Sequence, residues 1–277
     1  MASIGLIEIL FLLAPVAIIP AALPLTGAPQ WLKIAVIPCA AGAVASYVFA
    51  PLSVLWGVYC VAMAGFGVWR FFTRLEFSIE ETCIDAGYAF IAIGGGWFVL
   101  SRFGIRPMGF SDKVVLLTAV HFHYAAFVVP LFTGLTGRVG LLDPAFPRKL
   151  YWILVGGVLA GPPLLGAGIT FSPALEIFAA VLLSFSVMVL ACLMLVYIVP
   201  AAPAFSLGPF LLVVSSGSVL ASMWMSVFYA IGEFNGAGQM GSVSAMAATH
   251  GILNVLGFSL CGVLGFRCFS PCAPRGD

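Results

Sequence analysis

Apolar stretches of about twenty residues follow one another along this chain, separated by short polar breaks. A helical crossing of a bilayer needs roughly 17–25 predominantly apolar residues. On that measure the pattern predicts nine spans: 4–23, 31–49, 52–71, 83–102, 113–133, 150–170, 173–199, 208–231 and 243–267. The 49–52 hairpin is the weakest boundary. Spans two and three are joined only by FAPL, so the pair also reads as one broken helix, which would bring the count to eight. The expected fold is all-α, a polytopic transmembrane helical bundle in which residues 1–277 form a single integral membrane domain.

Composition agrees with this pattern. Of 277 residues 62% are hydrophobic and 8% charged, with a mean hydropathy of +1.17, whereas soluble domains carry about a quarter charged residues. Eleven Lys and Arg stand against ten Asp and Glu, and no basic run suggests nucleic acid as a partner. Membrane lipids and a hydrophobic small molecule are the expected partners, and the oligomeric state is left open. Lys and Arg concentrate in cytoplasmic loops. With nine spans, the side holding the C-terminus carries Lys33, Arg70, Arg74, Arg138, Arg148, Lys149, Arg267 and Arg275, and the other only Arg102, Arg106 and Lys113. That asymmetry predicts N-terminus out and C-terminus in. The start, MASIGLIEIL, lacks a basic region, carries Glu8 and runs into Pro15 and Pro20, and is expected to be a retained first helix rather than a signal peptide.

Small and special residues add detail. The seven cysteines are scattered through apolar segments, where a thiol behaves as a small hydrophobe; Cys268 and Cys272 are four apart, but Pro271 interrupts any helix joining them. Gly157 and Gly161 in GVLAG, and the run Gly94–Gly96, read as packing devices that let helices approach. Pro162 and Pro163 are expected to kink span six. Met223, Trp224 and Met225 read as packing rather than a methionine box for copper.

Ionisable groups within the hydrocarbon are costly and usually face the bundle interior, where they mark a site. The candidates are His121, His123, His250, Glu8, Asp85, Glu176 and Glu233. Under the expected topology all three histidines and the three glutamates share the outer half, and Asp85 alone belongs to the cytoplasmic half. His121 lies about 12 Å inside the outer face, at 1.5 Å per residue. Positions two apart on a helix differ by about 200°, so His121 and His123 cannot both ligate one ion without distortion. His250 and Asn254 in THGILN are four apart and share a face, so the amide can orient the imidazole or contact a ligand. For each histidine the plain alternative is a hydrogen bond across helices; for Glu8, Glu176 and Glu233 it is an interfacial position in water.

HFHYAAF in span five, and THGILNVLGF in span nine with SMWMSVFYAIGE before it, resemble the YndJ-like family of bacterial polytopic membrane proteins, over a range from LLAPVAIIP to Gly265. The resemblance implies a multi-pass helical bundle in the bacterial cytoplasmic (inner) membrane and assigns it no reaction. Locally, AVHFHY is similar to the helix of heme-copper oxidase catalytic subunits whose two histidines point opposite ways to different hemes, and ATHG to the segment that supplies the partner ligand of the low-spin heme. Here the order is reversed, the adjacent His-His copper ligands are missing and the chain is far shorter, which argues against common descent. A bis-histidine heme or transition-metal site from His123 and His250 is the chemistry that likeness implies.

Three functions follow, beside a purely structural membrane partner, which explains the hydrophobicity but not the clustered histidines. The first is an intramembrane enzyme acting on a lipophilic small molecule, with His250 and one of His121 and His123 as acid–base groups or metal ligands and Glu176 or Glu8 as partner. The second is a proton-coupled secondary transporter, for which Asp85 is the one candidate on the cytoplasmic side. The third is a heme or metal electron-transfer protein. No nucleotide-binding loop, Ser-His-Asp constellation or strong zinc signature is present.

Overall fold

Prolines and serines set most helix starts, as expected where the first-turn amide groups need no donor or a side-chain acceptor. In the computed structural model α1 spans Leu6–Leu25 and α2 Gln30–Ala45, the latter starting directly after Pro29. Pro51 lies in the first turn of α3, Ala50–Thr73. Ser78, Ser111 and Ser172 cap α4 (Ile79–Arg102), α5 (Asp112–Gly140) and α7 (Pro173–Ile198), each hydroxyl accepting a first-turn N–H. Helix α6 covers Arg148–Phe171 and is unbroken through Pro162 and Pro163; α8 covers Leu207–Phe234 and α9 Ala247–Arg267. The described residues are 4–201, 206–234 and 243–269, without the side chains of 229, 230, 233, 234, 243 and 244. Among them no strand occurs.

Eight of these helices are long and apolar enough to cross a bilayer, and α2, with 16 residues, is shorter. The chain divides into two compact units, Met1–Leu131 and Phe132–Cys272, with the boundary inside α5.

In the first unit the contacts settle the FAPL boundary. Arg102, ending α4, lays its guanidinium 4.1 Å over the Tyr47 ring and donates to the Ser46 carbonyl at 3.4 Å, just past the end of α2. At the opposite end Arg70 donates to the Thr26 carbonyl at 2.6 Å, just before α2 begins. Helix α2 therefore runs the length of the unit, about 24 Å at the helical rise, and FAPL reverses the chain between two antiparallel helices. The Tyr59 hydroxyl donates to the Leu32 carbonyl at 3.0 Å, and Gly42 lies against Leu52 and Leu55. Helices α3 and α4 approach through Gly57, Gly67 and Gly95, where an added Cβ would run into Val99, Tyr88 and Cys60 respectively.

In the second unit Gly157 and Gly161 let α6 meet Ser186 and Leu183 of α7, the close packing that the GVLAG spacing predicts. Phe132 packs on Phe258 and Phe266 at ring separations of 5.0 and 5.3 Å. Helices α8 and α9 are antiparallel and joined through small residues, with Ser215 beside Gly262, Ser218 beside Gly257, and Leu212 beside Gly265.

Among the described residues five stretches wind as π-helix: Ala14–Ile18, Tyr124–Val128, Met194–Ile198, Ala247–Gly251 and Leu253–Leu260. Such turns are rare and concentrate at functional positions. One follows HFH directly, and two hold His250 and Asn254.

Candidate functional site

On α5 the two histidines of HFH face opposite ways, as their 200° separation requires. His123 is wholly buried and His121 exposed. The His123 Nδ1 proton is donated to the Ala119 carbonyl at 2.7 Å, and Nε2 accepts the Trp56 indole N–H at 3.0 Å. An indole N–H only donates and a carbonyl only accepts, so these partners fix a neutral imidazole with its proton on Nδ1. Phe11 stands edge-on to the ring at 5.1 Å, Trp56 stacks at 5.9 Å, and the Cys60 thiol lies 4.0 Å from Nε2. Gly94 closes the nest: a Cβ there would come within 2.7 Å of Nδ1. Among the described residues His121 bonds its own helix, through Nδ1 to the Leu117 carbonyl at 2.7 Å.

His250 and Asn254, expected on one face of α9, converge on Ser222 of α8. The Ser222 hydroxyl lies 2.9 Å from His250 Nδ1 and 3.3 Å from the His250 carbonyl, and the Ser222 carbonyl is 3.1 Å from the same Nδ1. The Asn254 amide donates to the Ser222 hydroxyl and, at 2.8 Å, to the His250 carbonyl. Ser222 is fully buried while His250 and Asn254 are half-buried. Nδ1 thus faces both a hydroxyl that can donate and a carbonyl that can accept. His250 has a partner at Nδ1 in either neutral tautomer and as imidazolium, whereas His123 is held in one form.

The acids separate. Asp85, 4% exposed, is gripped by Arg70 at one carboxylate oxygen and Arg74 at the other. Arg70 also pairs with Glu81 at 3.4 Å and lies 5.8 Å from the Tyr88 ring, whose hydroxyl meets Thr26. Glu8 is half-buried at the other end of the first unit, in electrostatic reach of Tyr47. Burial holds the Tyr47 phenol above its ordinary range, the Arg102 cation opposes the rise and the Glu8 carboxylate adds to it. Glu176 occupies the first turn of α7, where the Gly168 backbone packs against it and the helix dipole favours a negative charge. The Glu233 side chain lies outside the described residues.

His121, His123 and Glu8 belong to the first unit; His250, Asn254 and Glu176 belong to the second. Sequence reasoning missed Ser222, Trp56, Tyr47 and the arginine partners of Asp85. Ser222 had a legible signal, since Ser215, Ser218 and Ser222 recur at helical spacing in SSGSVLAS.

His123 does not suit a heme or metal: both ring nitrogens are engaged, and ligation through Nε2 would strand the buried Trp56 N–H. Among the described residues no three His, Cys, Asp or Glu side chains gather as a metal set. The six described cysteines are free thiols; Cys272 lies outside the described residues.

Apolar helices in this number, with a histidine cluster set between two of them, define a multi-pass helical membrane protein. A family model described as YndJ-like protein matches residues 9–258, and the chain belongs to that family. It is similar to the "Uncharacterized membrane protein YndJ" of Bacillus subtilis (strain 168), at 31% identity over 215 residues, which is 78% of this chain and 38% of that protein. The chain therefore spans well under half the length of this curated relative. No solved structure matches it.

Proposed function

We propose that this membrane protein binds a lipophilic small molecule and moves a proton on it at His250, with Ser222 and Asn254 as positioning residues. One observation carries the reading: His250 Nδ1 faces the Ser222 hydroxyl at 2.9 Å and the Ser222 carbonyl at 3.1 Å. An imidazole whose partners serve either tautomer can take up a proton and release it without stranding a buried group. The surrounding helices are apolar, which suits a hydrophobic substrate over a soluble one. His121, His123, Glu8, Glu176 and Glu233 fall to lesser roles in this reading, His123 as a structural histidine. Proton-coupled transport is less favoured, because Asp85 is held between Arg70 and Arg74. The charge distribution among loops supports insertion in a bacterial cytoplasmic membrane with the N-terminus outside.

With three histidines in the chain, side-chain 15N NMR of histidine-labelled protein resolves each ring. His250 should exchange between tautomers while His123 stays protonated on Nδ1. In parallel, hydrophobic molecules that co-purify with wild type should be lost or diminished in His250→Gln, with thermal unfolding unchanged. A His250 ring locked in one tautomer, or the same molecules retained by His250→Gln, would sink the proposal.

A further inference from the structure

At the end of the first unit remote from Asp85, two enclosed donors, the Arg102 Nε and the Tyr47 hydroxyl, have no hydrogen-bond partner among the described residues. The groups are adjacent, since the guanidinium rests 4.1 Å over the Tyr47 ring. Its one other bond in the structure, to the Ser46 carbonyl, is long at 3.4 Å. A buried donor left unpaired costs the full desolvation of that group. Glu8 supplies a negative charge in electrostatic reach of the phenol, yet among the described residues it forms no ion pair with Arg102. Its carboxylate is instead folded back, so that a Cβ on Gly5 would lie 2.8 Å from Oε2.

These three groups form a pattern that no single ion satisfies. A guanidinium and a phenol O–H together present donors to a tetrahedral anion. Glu8 lies one helical turn before Phe11, which stacks on Phe98 at 4.1 Å, and Phe98 lies 6.4 Å from the Tyr47 ring; a carboxylate at this end opposes a simple anion and favours a ligand that carries a cation next to its anion. The site lies where spans end, with Val48, Phe49 and Phe103 exposed around it as an apolar collar. From this juxtaposition we infer that Arg102, Tyr47 and Glu8 form a headgroup site for a phosphoethanolamine lipid. The phosphodiester accepts from Arg102 Nε–H and Tyr47 O–H, the primary ammonium donates to Glu8, and the acyl chains lie along the collar. A primary ammonium is preferred over a quaternary one because only the former has N–H groups to give the carboxylate. The inference is independent of the His250 proposal.

The test is lipid binding to the purified full chain, read by native mass spectrometry and by thermal unfolding in nanodiscs of phosphatidylethanolamine, phosphatidylcholine or phosphatidylglycerol. Phosphatidylethanolamine should be retained best and protect most. Tyr47→Phe deletes one oxygen and should weaken its retention about fivefold, as for one neutral hydrogen bond. Arg102→Gln, which removes the cation, should weaken it about tenfold or more. Glu8→Gln should erase the preference for phosphatidylethanolamine over phosphatidylglycerol while leaving the phosphate contacts intact. Equal retention of all three lipids by wild type, undiminished retention of phosphatidylethanolamine in Tyr47→Phe, or an unchanged preference in Glu8→Gln, would overturn the assignment. So would displacement by soluble glycerophosphoethanolamine at matched concentration, since the ligand would then be a free amine phosphodiester.

Discussion

Gly94→Ala tests the His123 nest against its own control two residues away. A methyl at 94 would stand 2.7 Å from His123 Nδ1 and 2.9 Å from both Cε1 of that ring and the Phe122 Cβ. The ring cannot easily recede: Nδ1 is tied at 2.7 Å and Nε2 at 3.0 Å, with Phe11 and Trp56 against its faces and edge. Overpacking of this kind costs about 1–3 kcal/mol. Alanine also regains about 1 kcal/mol over glycine in a helix interior. The net expectation for Gly94→Ala is a loss of up to about 2 kcal/mol. At Gly96 an added Cβ meets nothing within 4 Å, so Gly96→Ala keeps only the helical gain, up to about 1 kcal/mol. The first and last glycines of one GGG run should therefore move stability in opposite directions. Thermal unfolding of the two variants in the same detergent gives the sign of each. If Gly94→Ala proves as stable as Gly96→Ala, the ring is not held as described, and the assignment of His123 as a fixed structural histidine fails with it.

Other expectations follow from the same contacts. Asp85→Asn leaves Arg70 and Arg74 facing each other without their shared anion, and breaking a buried pair in this way costs about 3–5 kcal/mol; unfolding in detergent should fall sharply, and a variant as stable as wild type would show that the cluster is solvated. Diethylpyrocarbonate attacks neutral imidazole nitrogens, so peptide mass spectrometry of the detergent-solubilised protein should find His121, which faces outward on α5, modified faster than the wholly buried His123. Trp56→Phe should weaken that protection by freeing Nε2, and equal labelling of His121 and His123 in wild type would contradict the geometry.

The helices were legible because each apolar run is long enough to be recognised by length alone. The α2–α3 boundary was not, because FAPL is too short to distinguish a reversal from a break. What decides it is a pair of contacts at opposite ends, Tyr47 with Arg102 and Thr26 with Arg70, which no local pattern reports. The opposite facing of His121 and His123 came directly from helical periodicity, as did the shared face of His250 and Asn254. Their partners did not, because Trp56 and Ser222 lie 67 and 28 positions away. Arg70 and Arg74 illustrate the same limit. Counted along the chain they are loop charges that orient the bundle; in space they neutralise the buried Asp85.

The π turns connect these observations. Each widens the helix and takes a carbonyl out of the regular i to i−4 ladder, and within a bilayer no water is at hand to satisfy it. The carbonyls near such turns are met instead by side chains from another helix: Leu10 accepts the Tyr124 hydroxyl at 2.7 Å, Phe258 accepts Ser215 at 2.8 Å, and His250 accepts Ser222 at 3.3 Å. At these three π turns a hydroxyl on the facing helix thus meets the carbonyl, and there the two features have to be changed together. The requirement gives Ser222 two tasks. Its one hydroxyl proton goes either to the His250 carbonyl, the oxygen then accepting from Nδ1–H, or to Nδ1 itself, the carbonyl then keeping Asn254, so the distortion that places the imidazole also supplies its proton partner. Ser222→Ala should then disturb α9 as well as the ring. Ser222→Thr keeps the hydroxyl and separates the two effects: backbone support is retained, while the added methyl crowds a fully buried position beside the imidazole.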